Sequence, residues 1–469
     1  MKHISTLALA ASSILGAEAI TLQKRTNGAP KVVEYEIQRK QITNPLKRDR
    51  IRRRANTISE TLDNEQTLYF ANASLGTPAQ SFRLQIDTGS SDLWVNVANS
   101  AECQNQQNDC AASGTYSANS SSTYEYVNSL FNISYVDGSG SSGDYATDVF
   151  RIGGAELQNQ QFGIGYVSST EQGVMGIGYP ANEAILQYVR TPYVNVPEHM
   201  MQAGLINTNA YSLWLNDLDA STGSVLFGGV NTEKYTGSLQ TLPILTEEGV
   251  YAEFIIALTG VGYNGQDNSI ASNLNTAALL DSGSSLMYLP NQVAETIYKM
   301  TGAKYSQEYG AAFIDCNMRY NETTIDFTFS SPTIRVSMSE LVLVMGYEGR
   351  NPVCILGIAP AEGTTPVLGD TFLRSAYVVY DITNNEISLA QTNFNSTSNN
   401  IMEITNTSIP DATGVASAVT SVSQETGGGR LGGFPTGSVT SSGMGAAITP
   451  GPKGLGALAA VGAAAFFAL

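Results

Sequence analysis

Histidine is almost missing from this chain. Of 469 residues only two are histidine, His3 and His199. His3 lies in a segment expected to be removed on export. A Ser-His-Asp triad or a histidine-built zinc site would therefore have to rest on His199 alone, and His199 is expected to be structural. Thiols are scarce too: Cys103, Cys110, Cys316 and Cys354 are the only cysteines. In a chain that carries export signals they read as two disulfides, which removes Cys-His catalysis and thiolate metal ligation. Three connectivities are open, and the local one, Cys103 with Cys110 and Cys316 with Cys354, is expected. No phosphate-cradling G-x-x-x-x-G-K-[ST] stretch occurs. Basic residues are few in the main body: from Ala55 onward there are 12 against 37 acidic ones. That balance argues against nucleic acid as a partner. It suits a protein that works in acid, where many carboxylates are protonated. No metal and no cofactor are expected.

The ends carry processing signals. Residues 1–19 form a weak signal peptide: Lys2 and His3, an apolar run from Leu7 to Leu15, then Ala17 and Ala19. A basic segment follows, residues 20–54, ending LKRDRIRRRA. It is expected to be a propeptide cut by a dibasic-specific processing protease after Arg54 or nearby. The plainer alternative is a disordered basic arm. A cationic segment on an acidic cleft is held by attractions that fade as carboxylates protonate. At the other end the last residues, LGALAAVGAAAFFAL, are apolar and uncharged but short for a membrane span. They follow a spacer and the small trio Ser441, Ser442 and Gly443, an order that resembles a GPI-anchor signal over residues 444–469. An ordinary single-pass helix is the alternative. Between residues 395 and 450, Ser, Thr and Gly make up 27 of 56 residues. Such a stretch buries no core, so residues 395–443 are expected to be a flexible stalk. Six Asn-x-Ser/Thr sequons, at Asn72, Asn119, Asn132, Asn321, Asn395 and Asn406, fit a secretory route.

From about Gln66 to Asn393 the pattern is β: short alternating runs rich in Tyr, Val, Ile, Phe and Thr, broken by Gly, Asn and Ser. One helix is expected in PNQVAETIYKM, with Val293, Ile297 and Met300 at helical spacing. The body also repeats itself. LQIDTGSSDLW around Asp87 is answered by LLDSGSSLMYL around Asp281, with the two aspartates 194 residues apart. GVMGIGY places Gly176 89 residues after Asp87, and PVLGDTF places Gly369 88 residues after Asp281. Two related lobes follow, residues 66–240 and 241–394, joined near residues 238–243.

The repeated aspartates carry the chemistry. Two carboxyls at equivalent points of two lobes can meet at their junction. Held within about 3 Å, they do not both ionise and share one proton. One can take a proton from water while the other protonates a carbonyl, with no covalent intermediate. Gly89 and Gly283 let the backbone turn and approach closely. Thr88 and Ser282 can hydrogen-bond across the junction, and Ser90 and Ser284 can donate to the outer carboxylate oxygens.

These motifs, IDTGSSDLW, LDSGSS, GVMGIGY and PVLGDTFLRSAYVVYD, resemble the pepsin family of aspartic proteases from Gln66 to Asn393. The resemblance implies an all-β, bilobal pepsin-like fold: two pseudo-symmetric β lobes, a six-stranded interlobe sheet and the active-site cleft between the lobes. It implies Asp87 and Asp281 as the catalytic, proton-sharing pair. FNISYVDGSGSSGDYATDVF reads as a hairpin. In the family this hairpin is the flap, with Tyr135 as its tyrosine and Trp94 as that tyrosine's indole partner. Asp137, before Gly138, matches an acid that some fungal relatives carry and that accepts Lys or Arg before the scissile bond; otherwise it caps a turn. The layout is similar to the yapsin-like, GPI-anchored fungal proteases. Ser282 departs from the usual Thr but keeps the hydroxyl. The expectation is thus a monomeric, cell-surface endopeptidase acting on peptides and proteins, anchored to the outer membrane leaflet. The alternative is a catalytically silent cell-wall glycoprotein that binds peptides.

Overall fold

Alternation of apolar and polar side chains turns most of this chain into strands. The structure, a computed structural model, describes residues 31–40, 68–104, 110–135, 139–220, 222–405 and 408–422. Six strands make a central layer: Tyr235–Pro243, Glu386–Thr392, Ala376–Asp381, Ala210–Trp214, Thr222–Phe227 and Val33–Lys40, in that order. The two halves of the chain meet at its middle. Ala376–Asp381 runs antiparallel to Ala210–Trp214, with Tyr380 opposite Tyr211 and Val378 opposite Leu213. All of Ala376–Asp381 is buried, as its run AYVVYD requires.

Each half then builds the same knot of strands. In the N-terminal lobe, Gln80–Asp87 pairs parallel with Val174–Gly176, Asp87 opposite Gly176. In the C-terminal lobe, Gln266–Leu280 pairs parallel with Val367–Leu368, Leu280 opposite Leu368. Val174–Gly176 pairs antiparallel with Leu93–Asn96, and Val367–Leu368 with Met287–Leu289. Leu93–Asn96 and Met287–Leu289 each take one more parallel partner, Ala155–Ser168 and Ile358–Pro360. The sequence repeat is thus a repeat of topology, and the all-β bilobal expectation holds. The expected join is itself a strand of the central layer, Tyr235–Pro243.

Three local findings add to or amend these expectations. Residues 33–40, inside the basic segment, form a strand between Thr222–Phe227 and Leu68–Leu75. VEYEIQRK alternates, so Val33 and Ile37 are buried while Glu34, Glu36 and Gln38 face out. The stalk does not begin at Asn395. Ile401–Glu403 pairs with Gly229–Asn231, and Ala412–Gly414 adds a parallel strand beside Tyr235–Pro243. Ile404 and Ile409 are buried, and Val419 and Val422 pack against the C-terminal lobe. A few apolar residues among the Ser and Thr are enough to dock this tail. In the helix Asn291–Thr301, Val293 and Ile297 are buried but Met300 is exposed; Ala294, Tyr298 and Thr301 complete the inner face. The signal peptide, the flanks of residues 33–40, and residues 423–469 with Ser441, Ser442 and Gly443 lie outside the described residues.

Both expected disulfides form, Cys103–Cys110 and Cys316–Cys354. A buried ion pair ties the C-terminal lobe to the loop after Ala210–Trp214. Arg374, wholly buried, donates from Nε to Glu340 Oε2 at 2.5 Å and from Nη2 to the Glu340 carbonyl at 2.6 Å. Glu340 Oε1 accepts the Leu218 amide at 3.1 Å. Removing one partner strands the other charge without water. Glu340→Ala is therefore expected to lose about 3–5 kcal/mol of stability. Urea unfolding followed by tryptophan fluorescence measures it, and an unchanged midpoint would contradict this role for the pair.

Candidate active site

The two aspartates sit at the ends of equivalent strands, and the turns after them interlock. The Thr88 amide donates to Ser282 Oγ at 3.2 Å, and the Ser282 amide donates to Thr88 Oγ1 at 2.9 Å. Each hydroxyl in turn donates a hydrogen bond across the junction: Thr88 Oγ1 to the Leu280 carbonyl at 2.9 Å, Ser282 Oγ to the Ile86 carbonyl at 3.1 Å. Four bonds thus join the lobes about a local two-fold axis, and a serine serves as well as a threonine because only its hydroxyl is used. All four groups are buried, where an unmade bond is costly.

This grip orients both carboxylates alike. Asp87 Oδ1 accepts the Gly89 amide at 2.9 Å and Oδ2 accepts Ser90 Oγ at 2.6 Å. Asp281 Oδ1 accepts the Gly283 amide at 2.8 Å and Oδ2 accepts Ser284 Oγ at 2.7 Å. Gly89 proves how close the turns are: a Cβ there would lie 2.5 Å from Asp281 Oδ1. Gly176 and Gly369 serve the same end, since a Cβ would strike the Ser91 amide at 2.5 Å in one lobe and the Ser284 carbonyl at 2.3 Å in the other. An aromatic floor supports the junction, with Tyr211 stacked on Tyr380 at 5.0 Å and Phe254 edge-on to Tyr380 at 4.6 Å. Such an arrangement can hold water between two carboxyls of which one carries a proton.

The predicted hairpin is present. Its arms are Glu125–Ser134 and Gly140–Ile152, and the Tyr135 amide donates to the Ser139 carbonyl at 2.8 Å. Trp94, fully buried, donates from Nε1 to Tyr135 Oη at 2.8 Å. Asp137 and Gly138 lie outside the described residues. His199 bonds Gln160 Oε1 through Nδ1 at 3.0 Å, and burial lowers its pKa. Among the described residues no group of three His, Cys, Asp or Glu could hold a metal ion. Of the sequons, Asn72, Asn119, Asn132, Asn321 and Asn395 are exposed. Asn132 bonds Tyr188 Oη and Asn395 bonds Asp217, while Asn406 lies outside the described residues.

Sequence reasoning missed a second acidic centre, in the N-terminal lobe. Asp92, in the motif SSDLW, and Glu183 are both buried. Glu183 Oε2 accepts the Tyr193 amide at 2.8 Å, and Oε1 has no partner. Burial first, then the charge of Asp92, pushes Glu183 up to about 10. The available signal was an acid set inside an otherwise small and apolar run, between Ser91 and Leu93.

The model of the family described as eukaryotic aspartyl protease matches residues 68–392. The probable aspartic-type endopeptidase opsB of Aspergillus oryzae is 51% identical over 98% of this chain and 97% of its own. The protein of the same name from Aspergillus fumigatus is 52% identical over 93% of this chain and 92% of its own. The crystal structure of aspartic proteinase from Irpex lacteus aligns with a TM-score of 0.60 over 78% of this chain and all of its own. At 22% identity that likeness bears on the fold alone.

Glu183 makes the lobe sensitive to pH. Its folded pKa lies above its ordinary value of 4.5, so its contribution is fully present below pH 4.5 and is lost as pH rises toward about 10. Glu183→Gln keeps the acceptor for Tyr193 and cannot ionise. It is expected to leave the melting temperature at pH 4 unchanged and to raise it by a few degrees at pH 7. Thermal scans at both values check this; equal shifts at the two would show that Glu183 is not the titrating group.

Proposed function

The chain belongs to the eukaryotic aspartyl proteases and is an aspartic-type endopeptidase; on that premise we propose that Asp87 and Asp281 cut the peptide bond. The reciprocal bonding of Thr88 and Ser282, which sets Gly89 against the Asp281 carboxylate, is the observation that carries this reading. Water between the carboxyls gives a proton to the ionised one as its oxygen bonds the scissile carbonyl carbon. The protonated one gives its proton to the carbonyl oxygen. The tetrahedral adduct then collapses: the C–N bond breaks, the departing nitrogen takes the proton that water gave up, and one hydroxyl of the adduct returns its proton to the other carboxylate as C=O re-forms, which restores the one-proton pair. Ser90, Ser284 and the two glycine amides hold the carboxylates for this exchange. Tyr135, tied to Trp94, closes over the substrate as the flap tyrosine.

The finer reading follows from the sequence. The enzyme is exported by residues 1–19 and made as a precursor with a propeptide over residues 20–54. A dibasic-specific protease cuts that propeptide after Arg54. The body is held at the cell surface by a GPI anchor near Ser441–Gly443, and it acts as a monomer. Asp137, two residues after Tyr135 in the sequence, favours Lys or Arg before the scissile bond. The acidic body and the basic segment ahead of it support this layout.

A mixed peptide library incubated from pH 3 to 7 with the processed enzyme and with Asp281→Asn tests the chemistry. Loss of one member of the pair is expected to cut the rate by at least about 10²–10⁴. Equal cleavage by both proteins would remove Asp281 from the mechanism. Cuts after Lys and Arg, lost in Asp137→Ala, would support the selector; cuts after Leu and Phe would reject it. Release from cells by a phosphatidylinositol-specific lipase tests the anchor.

A further inference from the structure

The backbone ladder of the hairpin that carries Tyr135 is interrupted. Its pairing register slips between Tyr126 and Asn128 and again between Asn128 and Phe131. The second arm slips against Ala155–Ser168 between Ser142 and Gly143. Bulges of this kind bend a strand and loosen its ladder. Tyr145 sits among these slips, opposite Asn128 on one side and Gly163 on the other. Something besides the ladder must fix the arms there.

Asp92 is placed to do so. It lies five residues after Asp87 and two before Trp94, wholly buried. Its Oδ1 accepts Tyr145 Oη at 2.7 Å and Tyr193 Oη at 3.1 Å, and its Oδ2 accepts the Ala184 amide at 2.8 Å. A buried carboxylate is tolerated only when donors converge on it, and three do. Tyr145 is wholly buried, and burial with the neighbouring Asp92 holds its phenol far above the usual range, so it remains a donor. Its ring meets Phe131 of the first arm edge-on at 5.3 Å, and Phe131 meets Trp94 at 6.2 Å. Gly163 makes room for Phe131, since a Cβ there would lie 2.5 Å from that ring. The path therefore runs from Asp92 through Tyr145 and Phe131, one on each arm, to Trp94 and the Tyr135 hydroxyl.

We propose that Asp92 and Tyr145 are positioning residues that form the pivot of the flap, holding both arms of the hairpin and thereby Tyr135 in the geometry that retains substrate. This rests on the reading of Tyr135 as the flap tyrosine. The pivot acts on how tightly substrate is held and leaves the Asp87–Asp281 chemistry alone, so it changes KM more than kcat. The same carboxylate stands on the turn that follows Asp87, which ties the flap's seat to the wall that carries the reacting groups.

Tyr145→Phe removes one hydroxyl and keeps the ring stack. With a peptide substrate it is expected to raise KM about fivefold or more with kcat within about twofold. In a Trp214→Phe background, which leaves Trp94 as the only tryptophan, acrylamide is expected to quench the emission more strongly than in the parent. Asp92→Asn is the rescue control. Its amide oxygen can take the Ala184 amide while its NH₂ donates to Tyr145 Oη, so KM and quenching are expected to stay near the parent values. Unchanged KM and quenching in Tyr145→Phe would overturn the pivot, and so would a fall in kcat at constant KM. Tyr135→Ala separates the two readings. If it raises KM while Tyr145→Phe does not, the pivot fails and the flap stands. If Tyr135→Ala itself leaves KM unchanged, the flap reading fails first.

Discussion

Four hydrogen bonds between two turns decide what this molecule can do. Thr88 and Ser282 donate and accept across the junction of the lobes, and each hydroxyl bonds the strand that leads to the other aspartate. Neither lobe can move its carboxylate without breaking buried bonds to the other. The glycines are consequences of that grip, because a side chain at Gly89 would collide with Asp281. So is the doubled topology: each strand leading to an aspartate has a parallel partner that ends at or just before a glycine, Gly176 in one lobe and Gly369 in the other. Catalytic groups held on strand ends by such bonds gain the fixed geometry that acid–base exchange requires.

The parts of this arrangement legible in the sequence are those set by short spacings. Asp87 with Thr88, Gly89 and Ser90 forms its bonds within three residues, and the same holds at Asp281. A motif can state such contacts in full. The disulfides were legible for a related reason: Cys103 and Cys110 are seven residues apart, so little else has to fold to bring them together. What stayed hidden depends on partners far along the chain. Residues 33–40 look like part of a basic arm until Thr222–Phe227 offers an edge for Val33 and Ile37 to bury against. The residues after Asn395 look like a linker by composition. Composition averages away Ile404 and Ile409, which carry the docking. Asp92 was read as one more residue of a conspicuous motif. Its donors come from Tyr145, Ala184 and Tyr193, which no local pattern connects.

Charge links the site to the conditions it suits. A body with 37 acidic and 12 basic residues repels itself at neutral pH, and it also buries several of its acids. Asp92, Glu183, Asp381 and Glu386 all have raised pKa values, in each case chiefly because burial disfavours the charged form. Asp381 closes the central strand on which Tyr380 supports the junction, and Asp92 follows the turn of Asp87. Asp92 and Asp381, whose charged forms burial disfavours, thus lie on elements that hold the aspartate pair. Asp148 is a counterexample that proves the point. It accepts Tyr116, Thr123 and its neighbour's amide, and with enough donors its pKa falls below the usual value despite burial. Burial alone thus does not set the direction; it competes with the hydrogen bonds each carboxylate accepts. Buried acids whose charged form is disfavoured contribute more stability as pH falls, and a proton-sharing pair also needs one of its carboxyls protonated, so acidity bears on structure and chemistry through carboxyl groups in both cases.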